Sequence, residues 1–181
     1  GCSVELLCQD SAVAIQASHN RQGALYPQLQ ASYSQVSAFH AHAFGFANRF
    51  YRNLQTQFEF PADFCGVLTL ACTPALATRQ HKISSNPDYA AGLFQVLDSE
   101  QASLQAGLSL PYAGLFFPAG GWIAPQRFCQ AALAFLQQQP SFSVQFNCQV
   151  QQIESNLTDG ETSPSWRLET SLGLLHRRRV V

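Results

Sequence analysis

Residues Ala17-Ser18-His19-Asn20-Arg21-Gln22-Gly23-Ala24-Leu25-Tyr26-Pro27 decide how this chain is read. Just before them, Ser3-Val4-Glu5-Leu6-Leu7-Cys8 has the composition of a short buried strand, ended by the turn formers Gln9-Asp10-Ser11. A long amphipathic segment follows. The quoted stretch sets neutral hydrogen-bonding side chains (Ser18, Asn20, Gln22) beside one guanidinium, Arg21, and one glycine, Gly23. The guanidinium fork pairs with anions, and a glycine lets the backbone approach a ligand closely. Such a segment suits contact with a phosphate or a planar ring. On chemistry alone, a polar surface loop with a glycine turn is the simpler reading.

Working outward, Ser34 to Leu54 is expected to be a helix. Val36, Phe39, Ala43, Phe46, Phe50 and Leu54 recur at steps of three and four and define one apolar stripe. Pro61 and Asp63 mark a connection, and Phe64 to Cys72 reads as a strand. Pro74 opens a helix to about Ser84, and Asn86-Pro87-Asp88 is a turn. Phe94 to Leu97 suits a short strand. Asp98 with Gln101 forms a variant capping box for a helix from Ser99 to Gln105, stopped by Gly107. Tyr112 to Pro118 is the next expected strand, and Ala119-Gly120-Gly121-Trp122-Ile123-Ala124-Pro125 a glycine turn into a helix. That helix should bury Phe128, Ala132, Phe135 and Leu136 and end before Pro140. Phe142 to Val150 alternates as one half-buried strand. Asp159-Gly160 is a turn, Trp166 to Thr170 a strand, Gly173 a turn, and Arg179-Val180-Val181 the start of a third strand. Strands and helices mix without regular βαβ alternation, so the class is α+β with a mixed or antiparallel sheet.

Composition narrows the function. The 181 residues are 46% hydrophobic but only 12% charged, with net charge −1. No broad basic field advertises nucleic-acid binding, although a local patch could still serve an RNA substrate. No run has the length of a membrane span, and the N-terminus lacks the features of a signal peptide. The six cysteines form no Cys-x-x-Cys, which signals neither zinc nor a redox pair; packed, reduced thiols in the cytoplasm are expected. His40 and His42, two apart on a helix, point in different directions, so no metal site is expected. Asn156-Leu157-Thr158 matches a glycosylation pattern that has no meaning without secretion. Arg177-Arg178-Arg179 fits a solvated strand edge. Gly120-Gly121-Trp122 could wall a pocket or could simply be a strand-to-helix turn. The absence of methionine, including at position 1, suggests a piece of a longer chain.

The quoted stretch strongly resembles a segment of the FAD-dependent half of the bacterial bifunctional enzymes that make 5-methylaminomethyl-2-thiouridine at the tRNA wobble position. Phe117 to Pro125 is a second match. The pattern from Val144 through Val150 and Ile153 to Trp166-Arg167-Leu168 and Val180-Val181 is typical of the wider D-amino-acid-oxidase-like superfamily. The resemblance implies non-covalent FAD and a mixed/antiparallel substrate domain joined to partial strands of a Rossmann-like FAD domain. On that basis residues 1–30 and 141–181 belong to the FAD-binding part and 31–140 mostly to the substrate part. It implies oxidative removal of the carboxymethyl group from 5-carboxymethylaminomethyl(-2-thio)uridine, with tRNA as partner. A separate domain then methylates the amine with S-adenosylmethionine. The cofactor residues would be Asp10, Ser18, Asn20, Arg21, Gln22, Gly23, Ala24 and Val150; the substrate residues Arg21, Tyr26, Gly120, Gly121 and Trp122. His19 stands where a small residue is expected, and Cys8 where an acid often ends the strand. No G-x-G-x-x-G occurs; that element is expected upstream. The alternatives are a general amine or amino-acid oxidase of the same superfamily and a non-catalytic binding module.

Overall fold

A computed structural model describes residues 2–156 and 165–181. In chain order the elements begin with β1 (Val4–Leu7), β2 (Gly23–Leu25) and α1 (Gln35–Leu54). Ser34 caps α1, its hydroxyl accepting from the Ser37 amide at 3.3 Å. β3 (Ala62–Asp63) and β4 (Val67–Leu70) lead to α2 (Pro74–Ser84), whose N-cap Thr73 accepts from the Leu76 amide at 3.2 Å. β5 (Gln95–Leu97) runs into α3 (Ser99–Ala106). There the Asp98 carboxylate accepts from the Gln101 amide at 2.8 Å and the Gln101 side chain accepts from the Asp98 amide at 3.1 Å. Gly107 closes α3 at φ 68°, a left-handed position open to glycine. β6 (Gly114–Phe117), β7 (Gly121–Ile123) and α4 (Pro125–Leu136) follow, then β8 (Phe142–Gln145), β9 (Val150–Asn156), β10 (Ser165–Thr170) and β11 (Gly173–Arg177).

The described chain forms two compact units, one of residues 21–125 and one of residues 1–20 with 126–181. In the unit 21–125, β6 is flanked antiparallel by β4 and β5, and β7 by β2 and β3. Its core is Leu29, Ile83, Tyr89, Leu115 and Phe117, with Tyr26, Leu93 and Phe94 packed against them. The Tyr89 hydroxyl donates to the Gln30 carbonyl at 2.6 Å and accepts from the Gln30 amide at 3.1 Å. This satisfies the polar tip of a buried ring and ties the segment after β2 to the core. Arg79 of α2 donates to the Leu29 carbonyl at 2.8 Å on the same segment.

In the other unit, β1 lies parallel to β8, with Val4 opposite Phe142 and Leu7 opposite Gln145. The Cys8 amide donates to the Gln145 carbonyl and the Cys148 amide to the Cys8 carbonyl, both at 2.9 Å. A three-stranded antiparallel meander, β11-β10-β9, completes the unit, with Leu168 and Thr170 turned inward. Arg177 pairs with Glu5 of β1, its Nε 2.8 Å from the carboxylate.

Several expectations need correction. β1 is a strand, but Val4 is 52% exposed, because only β8 pairs with it among the described residues. The α1 periodicity correctly marks a helix, yet Phe39 is 68% exposed and Val36, Phe46 and Phe50 also face outward; Ser37 and Phe44 are its buried residues. None of the α4 residues is fully buried. Ala119 to Pro125 is not simply a turn: Gly121–Ile123 is a central strand, and β3 lies inside the expected Pro61–Asp63 connection. The Phe142–Val150 strand is two strands, broken around Asn147, whose φ is 54°. The third strand of the meander is β11, starting at Gly173, rather than Arg179–Val181. The Asp159-Gly160 turn, and all but the first residue of the Asn156–Thr158 pattern, lie outside the described residues. The six cysteines are free thiols but are not mostly packed: Cys2, Cys65 and Cys72 are exposed and only Cys148 is buried. No helix among the described residues is long and apolar enough to cross a membrane.

Loss of the α3 cap in Asp98→Ala should destabilise the protein by about 1 kcal/mol, read as a lower chemical-denaturation midpoint at unchanged slope. Burial pushes the Cys129 thiol on α4 above its ordinary value, which leaves less thiolate at a given pH. A thiol reagent near neutral pH should therefore modify exposed Cys2, Cys65 and Cys72 before Cys129, as followed by mass spectrometry of the labelled peptides.

Candidate functional site

The structure brings two of the sequence motifs together on one small sheet. β7 is the centre strand, with β2 on one side and β3 on the other. Gly23 stands opposite Ile123, Ala24 opposite Trp122 and Leu25 opposite Gly121. On the far side Ala62 stands opposite Ile123 and Asp63 opposite Trp122. Residues directly opposed across antiparallel strands share a face, so Ala24, Trp122 and Asp63 form one row. Ala24 and Asp63 are exposed and Trp122 half-buried, while Ile123 on the other face is buried. The sheet thus has a packed side and an open side, and the open side carries the indole.

The glycines explain how the row is assembled. A Cβ on Gly121 would overlap the Asp63 carbonyl oxygen and lie 2.7 Å from the Phe64 Cα. A Cβ on Gly120 would lie 3.0 Å from the Leu25 and Phe117 carbonyl oxygens and from a Val67 methyl. Both positions are buried. Only glycine allows β7 to run this close to β3 and to the end of β2. The Gly120 carbonyl also accepts from the Gly66 amide at 2.9 Å. In this chain the pair is therefore explained by backbone packing, and the exposed product of that packing is Trp122.

A second support comes from α1. Asn48 donates to the carbonyl of Ala119, just before the glycine pair, and itself accepts from Arg52 Nε at 2.8 Å. The Arg52 guanidinium lies 4.0 Å above the Phe64 ring, next to Asp63. One helical turn therefore holds both the start of β7 and the end of β3. Neither residue was picked out from the sequence. Asn48 and Arg52 are spaced i, i+4 on a helix, which marks a side-chain pair but not what the pair touches. Asp63 was likewise assigned only to a connection.

The other candidate residues are placed as follows. Arg21 and Gln22 are exposed, leading into β2. Tyr26, just past β2, packs on Phe117 with ring centroids 5.8 Å apart. In the unit containing β1, Asp10 lies just beyond the C-terminal end of that strand. Its carboxylate accepts from Gln16 at 3.2 Å and its carbonyl accepts from the Asn147 amide at 3.1 Å. Asn20 is exposed and folds back to donate to the Ala17 carbonyl at 3.3 Å. Ser18 is half-buried. His19 Nδ1 lies 2.8 Å from Gln126 Nε2 at the start of α4, a specific partner that a glycine would lack. Val150 opens β9 opposite Thr170, at a register shift in the β9–β10 pair. Among the described residues no three His, Cys, Asp or Glu side chains converge as metal ligands. Gly121→Ala should prevent the β7–β3 approach and yield protein with a sharply lower melting temperature, whereas Gly45→Ala, inside α1 with only the Arg49 guanidinium at an ordinary 3.6 Å from the missing Cβ, should shift it far less; equal shifts would contradict this packing.

Comparison with known proteins gives this arrangement a family. Residues 1–181 match the FAD dependent oxidoreductase (DAO) family. The tRNA 5-methylaminomethyl-2-thiouridine biosynthesis bifunctional protein MnmC of Pseudoalteromonas translucida is 36% identical over 93% of this chain. The protein of the same name from Aeromonas hydrophila is 34% identical over 96% of it. The chain spans only 24% and 25% of those two relatives' lengths. Among solved structures, glycine oxidase from Bacillus cereus superposes with a TM-score of 0.72 at 13% identity, over 98% of this chain and 48% of that one. Glycine oxidase from Geobacillus kaustophilus gives 0.65 at 18% identity, over 98% and 47%. At such identities the structural likeness speaks for the fold, and it agrees with a chain of mixed helices and largely antiparallel sheets. With the whole of its length matched, the chain belongs to the FAD-dependent oxidoreductase (DAO) family, whose cofactor is FAD.

Proposed function

We propose that these residues work, within a full-length protein, in removing the carboxymethyl group from 5-carboxymethylaminomethyl(-2-thio)uridine at the tRNA wobble position. The observation that carries the reading is the joining of the Arg21–Tyr26 and Gly120–Pro125 motifs on one sheet, in a chain whose similar relatives bear the MnmC name. The methyl transfer from S-adenosylmethionine belongs, in this reading, to another domain. The cytoplasm, where tRNA is found, is the proposed location.

The residues present fit part of an FAD site. In open sheets of this kind ligands lie beyond the carboxyl ends of parallel strands. β1 and β8 are parallel, and Asp10 follows the carboxyl end of β1. We assign Asp10 to the adenosine ribose and the Val150 backbone to the adenine. Ser18, Asn20, Arg21, Gln22, Gly23 and Ala24 are assigned to the pyrophosphate and flavin, where donors and one cation suit an anionic, hydrogen-bonding ligand. Bound FAD supplies the two-electron oxidant for the amine's carboxymethyl carbon, after which water releases the aminomethyl nucleoside and glyoxylate. Arg21 and Trp122 are assigned to the substrate. Gly120 and Gly121 serve it by positioning Trp122, and Tyr26 by holding the end of β2 against Phe117.

The test uses the full-length protein. It should purify yellow, with flavin absorbance. It should convert carboxymethylaminomethyl tRNA to the aminomethyl form, read by mass spectrometry of nucleoside digests. A colourless protein that gains no flavin absorbance on adding FAD would overturn the cofactor assignment. Oxidation of glycine or sarcosine without action on tRNA would favour the general amine oxidase. Arg21→Ala should weaken FAD binding about tenfold, the size expected for one charge-assisted hydrogen bond, with a smaller loss for Asn20→Ala. Wild-type affinity in both would return the segment to an ordinary surface loop.

A further inference from the structure

We propose that Trp122 and Asp63 form a platform that reads the substrate's nucleobase: the indole stacks on the uracil ring and the Asp63 carboxylate accepts a hydrogen bond from the uracil N3–H. The inference rests on the tRNA reading above and deepens it.

Three observations on the unit 21–125 carry it. First, Ala24, Trp122 and Asp63 share one face of the sheet, with the indole in the middle. Neighbouring strands lie about 4.8 Å apart, so a ring laid on Trp122 would bring one edge over Asp63. The single methyl of Ala24 leaves the other edge clear. Second, Asp63 is exposed and no hydrogen bond or ion pair engages its carboxylate among the described residues. Its backbone is nonetheless fixed, by the strand pairing with Trp122 and by Gly121 packed against its carbonyl. The carboxylate is thus an acceptor carried on a fixed backbone position and left free for an outside donor. Third, the nearby cation Arg52 is engaged with Asn48 and the Phe64 ring, so no ion pair withdraws the carboxylate from that role.

The chemistry matches a uracil base. Aromatic side chains bind unstacked bases by their faces, without selecting among them. Selection comes from the base edge, and uracil differs from cytosine in carrying a donor at N3. An ionised carboxylate only accepts, so aligned with N3 it favours uracil, whose N3 carries a proton, over cytosine, whose N3 carries a lone pair. Position 5 is meta to N3, so a ring held through N3–H turns its carboxymethylaminomethyl group, itself bearing a carboxylate, away from Asp63. Trp122 and Asp63 are thereby specificity and positioning residues.

The experiment is calorimetric binding of anticodon stem–loop RNAs to the FAD-loaded full-length protein. One RNA carries 5-carboxymethylaminomethyluridine at the wobble position; its counterpart carries the same base methylated at N3. Wild-type protein should bind the N3-methyl RNA about tenfold or more weakly, the loss of a hydrogen bond to a charged group. Asp63→Ala should remove that difference. Asp63→Asn, whose amide oxygen still accepts, should restore part of it, which also separates loss of the acceptor from loss of folding. Trp122→Ala should weaken both RNAs together, by about tenfold. Equal wild-type binding of the two RNAs, or discrimination that survives Asp63→Ala, would overturn the proposal and leave the tRNA reading standing. Binding of neither RNA would overturn the tRNA reading and this one with it. Discrimination intact in Asp63→Ala together with altered FAD binding would give the face to the flavin.

Discussion

The contact between Gly121 and the backbone of Asp63 and Phe64 is the constraint on which the rest of the candidate site depends. It is an approach of main chain to main chain, closer than any side-chain-bearing residue permits. Because Gly121 sits there, β7 lies between β2 and β3, and Trp122 is aimed at the open face between Ala24 and Asp63. Gly120 does the same work one residue earlier, against carbonyls of Leu25 and Phe117. Close-packed interiors tolerate added volume poorly, and backbone atoms cannot step aside as a side chain can. An absence of side chains at two positions therefore fixes the direction of a large side chain at the third.

Local signals in the sequence were legible where the structure they specify is local. The Asp98–Gln101 box, the start of α2 at Pro74 and the stop at Gly107 each involve residues within one helical turn, and each stands as expected. The stripe on α1 correctly gave a helix, because periodicity reports geometry; it did not give burial, because burial depends on what lies opposite. Phe39 and Phe46 repeat at helical spacing and still face outward. The strand from Phe142 to Val150 failed for a related reason. Alternation of apolar and polar residues continues across Asn147, but the pairing partner changes from β1 to β10 there. Nothing in the alternation records that exchange.

The site was legible as two motifs and illegible as a sheet. Glycine pairs read naturally as turns, and Gly121–Ile123 became a strand only through partners near residues 24 and 63. Strand register between distant segments has no signature in a single sequence. Asp63 was invisible for this reason: a two-residue strand has no period of its own. His19 stood out as an unexpected residue, and the structure supplies a partner, Gln126, that the sequence separates from it by a hundred residues and more.

The parallel pairing of β1 with β8 bears on the order in which the chain is made. Val4 leaves the ribosome long before Phe142, its partner, and chains emerge N-terminus first. Residues 21–125 are contiguous, so that unit has all of its own strands at hand well before β8 exists. Until then β1 lacks the pairing that β8 provides, and an unpaired strand edge is the kind of segment that pairs with wrong neighbours. Among the described strand pairs this one spans the longest stretch of chain, so its closure comes late and costs the most loop entropy.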